Sequence, residues 1–205
     1  MSERMAQGDR RGGGVRWVYL LPLVGFLLVT AFFLWGLMFG NPRDIPSVLI
    51  GKPAPQFNLP PLPGAVGPDG KPLPGLSTAD LKTPGVKMVS FFASWCVSCR
   101  QEHPFLMELA RRKEIPIYGI AYKDAPEKSL AWLADLGNPY ARIGVDREGR
   151  TGIDFGVYGI PETFFIDDRG VIIYKFTGPL SPEAWERQVK PALKKALAQR
   201  DKAGS

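Results

Sequence analysis

The hydrophobic and polar positions divide the chain into three unlike stretches. Trp17 to Gly40 runs 24 residues without a charge and is rich in Leu, Phe and Val. About 20 apolar residues in a helix cross a bilayer's hydrocarbon layer, so this stretch is expected to span one. Residues 41–86 then show no periodicity and are dominated by proline and glycine. They read as a stiff tether and loop region, with short extended pieces around Val48–Ile50 and Gln56–Leu59. From Val86 the pattern becomes regular. Lys87–Ala93 is a short apolar run expected as a buried strand. A helix is expected from Cys96 to Arg112, with Phe105, Leu106, Leu109 and Ala110 on one face. Ile115–Tyr122 is rich in β-branched and aromatic residues and reads as a second strand. Ala125–Leu136 follows as a helix with Leu130, Leu133 and Leu136 at helical spacing, stopped by Gly137-Asn138-Pro139. A weaker strand is expected at Ala141–Val145, then a glycine-punctuated stretch. Glu162–Asp167 and Val171–Phe176 flank Asp168-Arg169-Gly170 as a β-hairpin. Ser181 can cap a last helix with Pro182 at its first position, running to about Gln199; Pro191 should kink or break it.

The order β-α-β-α, hairpin, α is that of a thioredoxin-like α/β fold. It implies a central mixed sheet with helices on both faces, the strand near 141–145 being an insertion. The expected organisation is a 1–16 N-terminal flank, a 17–40 transmembrane anchor, a 41–86 extension and an 87–200 thioredoxin-like domain. A cleaved signal peptide would have an apolar stretch of about 7–15 residues and a small-residue cleavage site. Leu37-Met38-Phe39-Gly40-Asn41 supplies no such site, so the anchor is read as uncleaved. Arg4, Arg10, Arg11 and Arg16 precede the span and only Arg43 closely follows it. That asymmetry keeps the N-terminus in the cytoplasm and exports the rest.

Charge changes this picture little. The chain carries 26 basic and 20 acidic residues, of which four and two respectively precede residue 41; the exported part keeps a mild surplus of +4. Lys190, Lys194, Lys195 and Arg200 supply much of it. Without interleaved aromatic and basic positions, they read as a solvated helix face and not a nucleic-acid surface.

The chemistry lies in the only two cysteines, Cys96 and Cys99, at the junction of the first strand and its helix. With no third cysteine the pair cannot staple distant segments, and so short a loop gains little stability from closure. Export places it where disulfides persist. The pair is therefore expected to cycle between dithiol and disulfide. A helix starting at Cys96 aims free N–H groups and its positive end at that sulfur, favouring the nucleophilic thiolate. Cys96 would attack a substrate disulfide and Cys99 would release the mixed disulfide. A metal site is the competing reading. Zinc wants four ligands and the chain offers Cys96, Cys99 and its single histidine, His103, which could equally be a surface residue.

Two motifs narrow the assignment. Trp95-Cys96-Val97-Ser98-Cys99-Arg100-Gln101-Glu102-His103-Pro104 resembles the W-C-x-x-C-x-x-E-x-P motif of the DsbE/CcmG family, membrane-anchored thioredoxins of cytochrome c maturation. Gly156-Val157-Tyr158-Gly159-Ile160-Pro161-Glu162-Thr163-Phe164 resembles that family's G-V-x-G-x-P-E-T-F signature. Tyr122-Lys123-Asp124 and Gly51-Lys52-Pro53-Ala54-Pro55 are also similar, and the resemblance covers roughly residues 40–185. It implies a cis Pro161 facing the cysteines, with the Ile160 backbone open to an extended substrate. Trp95 would shield the sulfur and join the docking surface. Thioredoxin's buried Asp, six residues before the first cysteine, is replaced by Ser90. The resemblance makes Glu102 and Glu162 the candidates to accept the Cys99 proton, and their charge would raise the Cys96 pKa and make the dithiol more reducing. Val97-Ser98 lacks the histidine of oxidising relatives.

The resemblance implies a single-pass protein of the bacterial inner membrane with its C-terminal domain in the periplasm. It would be a reductant for the haem-attachment cysteines of apocytochrome c or of a maturation thiol protein. A membrane electron donor would re-reduce the pair, and no cofactor need bind. A general periplasmic reductase of the same fold is the nearest alternative. A copper-binding or delivery module using Cys96, Cys99 and His103 is the alternative from another class.

Overall fold

A computed structural model describes residues 20–39, 48–67 and 70–203. The chain divides into two compact units, Met1–Pro42 and Arg43–Ser205. In the first, helix α1 (Leu20–Phe39) has 20 residues and no acidic or basic side chain. Phe26, Leu28 and Phe32 are among its many exposed apolar residues. Among the described residues no helix is long and apolar enough to cross a membrane. The expected span starts at Trp17 and closes at Gly40, both outside the described residues.

The second unit is built on a five-stranded sheet. Its strands are β3 (Lys87–Phe92), β4 (Ile117–Tyr122), β5 (Arg142–Asp146), β6 (Glu162–Ile166) and β7 (Ile172–Thr177). They are ordered β5-β4-β3-β6-β7, parallel across β3, β4 and β5 and antiparallel at β6 and β7. The expected insertion is thus the edge strand β5. The crossovers from β3 to β4 and from β4 to β5 step in one direction across the sheet. Right-handedness therefore puts their helices, α2 (Val97–Arg112) and α3 (Pro126–Leu136), on the same face. Met88 and Phe92 of β3 point into that face and pack with Leu106, Leu109, Trp132, Trp185 and Val189. Val89 and Phe91 alternate to the other, where they meet Phe155, Phe164, Ile166 and Leu81. That second face is covered by short α4 (Arg150–Asp154), a 3-10 turn at Thr78–Lys82 and the N-terminal extension.

The extension differs most from the sequence expectation. Val48–Ile50 is a turn, and of Gln56–Leu59 the part Asn58–Leu59 (β1) is a strand, paired with Leu76–Ser77 (β2). From Gly51 the segment is not a free tether. Gly51 and Ala54 donate to Ile172 and Gly170 carbonyls at 2.8 Å, along the hairpin. Pro60 and Pro74 carbonyls accept from Val145 and Ile143 at the opposite edge, at 2.9 and 3.2 Å. Proline has no N–H to give, but its carbonyl accepts, so a proline-rich strip can cap a sheet edge.

The last helix also departs in detail. Ser181 caps it through its hydroxyl and Pro182 opens α5 (Pro182–Ala184), as expected. The break falls before Pro191: a π turn occupies Trp185–Val189, with the Lys190 N–H reaching the Trp185 carbonyl, and α6 (Lys190–Ala203) follows. Pro191 cannot donate to the Arg187 carbonyl, and the wider turn absorbs that loss one turn upstream.

Candidate active site

The site forms where β3 ends and α2 begins. Cys96 is the N-cap of α2, in extended conformation, and the helix proper starts at Val97. The Cys99 N–H points at Cys96 Sγ from 3.0 Å, which is the orphaned-donor geometry expected at a helix start. The two sulfurs are joined in a disulfide, and both residues are buried. Around them Trp95, Val97 and Tyr158 are exposed and form an apolar rim.

The opposing wall comes from the loop before β6. The Ile160–Pro161 peptide bond is cis, and the Ile160 carbonyl oxygen lies 3.6 Å from Cys96 Sγ. Ile160 and Pro161, 64 and 65 positions beyond the first cysteine, therefore face it.

The two glutamates occupy different surroundings. Glu102, one turn beyond Cys99, is 1% exposed. Burial pushes its pKa up to about 8, with the Leu180 N–H, 2.9 Å from Oε2, as the main opposing influence. Its Oε1, the Ser90 hydroxyl and the Tyr140 hydroxyl are all buried without a hydrogen-bond partner. Ser90 is near enough to temper the Glu102 shift without completing a bond of good geometry. Burial and then the Glu102 charge raise the Tyr140 pKa well above its ordinary value, so this phenol stays neutral. The volume left by a shorter residue at Ser90 thus borders a carboxyl from the helix.

Glu162 pairs with Phe91 across β3 and β6, while Ser90 pairs with Thr163. Strand alternation directs Glu162 to the sheet face opposite Ser90 and Glu102. There Lys175 Nζ lies 2.8 Å from its Oε2, and the Tyr158 N–H donates to Oε1 at 3.4 Å. Burial raises the Glu162 pKa and Lys175 opposes the rise. Lys175 also donates to the Gly156 carbonyl and sits 4.7 Å from the Tyr158 ring centre. Glu162 and Lys175 together brace the turn that delivers Pro161.

His103 is neither a surface residue nor placed as a ligand. It is buried, with Nε2 3.0 Å from the Gly137 carbonyl and its ring edge-on to Trp132 at 4.4 Å. The carbonyl can only accept, so Nε2 carries the proton. Burial pushes the pKa of His103 down. Among the described residues no group of three or more His, Cys, Asp or Glu could hold a metal ion, and the proposed Cys96–Cys99–His103 copper site is not formed.

Sequence reasoning missed Tyr140, Leu180, Lys175 and the Asp124 carboxylate as neighbours of the site. Only Asp124 carried a signal, in the Tyr122-Lys123-Asp124 run; the rest arrive by long-range packing.

Residues 50–194 match the Redoxin family. The chain is 41% identical to the thiol:disulfide interchange protein DsbE of Escherichia coli K12 over 186 residues, 88% of this chain and 95% of that one. It is 44% identical to DsbE of Pseudomonas fluorescens biotype C over 174 residues, 85% and 92% of the two chains. It is 38% identical to HelX of Rhodobacter capsulatus, also a thiol:disulfide interchange protein, over the same shares. A crystal structure assigned to a DsbE protein of Chlorobium tepidum superposes with a TM-score of 0.56 at 26% identity, covering 72% of this chain and 97% of that one. With a redox-ready cysteine pair at a thioredoxin-type helix cap, the chain belongs to the Redoxin family and, within it, to the DsbE-type thiol:disulfide oxidoreductases.

Proposed function

We propose that this oxidoreductase is a periplasm-facing reductant of cytochrome c maturation, tethered by residues 17–40 and acting on the haem-attachment cysteines of apocytochrome c or of a maturation thiol protein. The observation that carries the reductant reading is the partnership of a helix-capping Cys96 with a buried carboxyl, Glu102, one turn beyond Cys99. No histidine lies between the cysteines to stabilise a thiolate. Weaker thiolate stabilisation leaves the dithiol a better electron donor. The support for the anchor is the uncharged, apolar sequence from Trp17 to Gly40 and the arginines preceding it.

The geometry supports a two-step exchange. The Cys96 thiolate attacks one sulfur of the substrate disulfide, forming a Cys96–substrate disulfide and releasing one substrate thiolate. Cys99 then loses its proton and attacks Cys96 Sγ, releasing the second substrate thiolate and leaving the Cys96–Cys99 disulfide. Two electrons pass to the substrate. We assign acceptance of the Cys99 proton to Glu102, which shares its helix and its sheet face. Glu162, on the other face, is a positioning residue for the Tyr158–Pro161 turn. The Ile160 backbone, beside Cys96, is placed to pair with an extended substrate, and Trp95, Val97 and Tyr158 offer it an apolar surface.

Trapping tests the substrate assignment. Cys99→Ser should hold the substrate on Cys96 as a mixed disulfide, and mass spectrometry should find an apocytochrome c or a maturation thiol protein. Recovery of many unrelated envelope proteins instead would favour a general periplasmic reductase.

A further inference from the structure

Asp124 is a buried carboxylate that the exchange chemistry does not use, and four hydrogen bonds converge on it. Oδ2 accepts from the Ser94 N–H at 2.7 Å and from the Ser129 hydroxyl at 2.6 Å. Oδ1 accepts from the Ser94 hydroxyl at 2.9 Å and from the Ala125 N–H at 3.0 Å. Two of these bonds belong to α3 and its entry. The other two reach across to Ser94, two residues before Cys96.

The preceding residue adds a second tie. Lys123 has φ of +48°, one of two non-glycine residues with positive φ among the described residues. This uncommon conformation points its carbonyl at the Trp95 indole, whose N–H donates to it at 3.2 Å. Lys123 is held from behind as well. Its N–H donates to the Asp146 carbonyl at 2.9 Å, and its stem lies over Gly149, where a β-carbon would fall 2.2 Å from Lys123 Cε. Trp95 is nevertheless 57% exposed, so this bond orients a surface ring and does not bury it. A large exposed aromatic fixed beside a nucleophile is a docking platform whose ordering cost is met before substrate arrives.

We propose that Asp124 is a positioning residue for substrate docking: through Ser94, and with the Lys123 carbonyl, it fixes the Trp95 ring beside Cys96 as a rigid platform for the residue flanking the substrate's cysteine. The fitting ligand is a disulfide-bearing peptide with an apolar or aromatic neighbour to the attacked sulfur. The proposal rests on thiol–disulfide exchange at Cys96 and not on which protein supplies the disulfide.

The test uses the full chain in detergent micelles and an oxidised model peptide with a tryptophan beside one cysteine. Asp124→Asn keeps the volume but removes an acceptor shared by Ser94 and Ser129. With that charge-assisted acceptor gone, KM should rise about tenfold or more with kcat changed little. Trp95→Phe should raise KM similarly, and adding Asp124→Asn to it should cost little further, since both break one device. Ser129→Ala removes a bond to the same carboxylate but leaves Ser94 tied, so KM should stay within about twofold while thermal stability falls. Ser94→Ala, which leaves the Asp124 carboxylate intact, should raise KM by an intermediate factor. An unchanged KM in Asp124→Asn, an equal rise in Ser129→Ala, or fully additive effects of Asp124→Asn and Trp95→Phe would overturn the proposal.

Discussion

Where the resemblance puts thioredoxin's buried Asp this chain has Ser90, and the buried acid beside it comes from the helix, as Glu102. Its pKa of about 8, against an ordinary 4.5, makes a prediction with a definite sign. The native state holds this proton where the unfolded chain has lost it. Stability from this group is therefore greatest below pH 4.5 and falls as pH rises toward 8, by on the order of 4 kcal/mol at most. Denaturant titration of the oxidised protein at pH 5 and pH 8 should show that decline, and Glu102→Gln should flatten it and be the more stable at pH 8. The same substitution should slow release of the mixed disulfide about a hundredfold, the low end of general-base effects. Its loss should also remove the rise in rate toward pH 8, read by quenched-flow trapping. Sequence alone could place Glu102 one turn from Cys99, but not bury it. Its burial depends on Leu180, 78 positions away, closing over it. His103 was illegible for the same reason: its helical position is ordinary, and Gly137 and Trp132 decide its role.

At the level of elements, the periodic segments from β3 to β7 were legible within a residue or two, because each buries one well-marked apolar stripe; the last helix runs to Ala203, past the expected Gln199. Strand β3 is mostly apolar and wholly buried, and α2 ends at Arg112 as its pattern implies. The aperiodic extension was not legible. Its structure comes from proline carbonyls that accept at the β5 edge and from Gly51 and Ala54 N–H groups that donate at the hairpin edge, which no local pattern records. Gly144 marks the contact. A β-carbon there would lie 2.7 Å from the Leu59 and 3.2 Å from the Leu76 β-carbons, neither of which is a flexible chain end. Gly144→Ala should therefore push the extension off β5 and cost about 1–3 kcal/mol, measured as a lowered Tm. Proteolysis should then open the 58–77 segment before the rest of the domain. An unchanged Tm would mean that the extension does not contribute to the fold.

For the whole molecule, the proposed function requires a membrane anchor within residues 17–40 and an exported redox domain. Membrane fractionation should find the full chain resistant to extraction by alkaline carbonate. A C-terminal alkaline phosphatase fusion should be active, as the arginines before Trp17 require. Soluble chain, or an inactive fusion, would remove the topology on which the proposed substrate depends. In that topology the pair works against its surroundings, since oxidation of envelope thiols is the default there. Its reducing strength is then the central property of the protein. The standard reduction potential of the Cys96–Cys99 pair, measured by equilibration with a redox couple of known potential, tests this most directly. The account predicts a value below about −200 mV, in the range of reductants such as glutaredoxins and thioredoxin; a value near −120 mV, that of a strong oxidant, would contradict it.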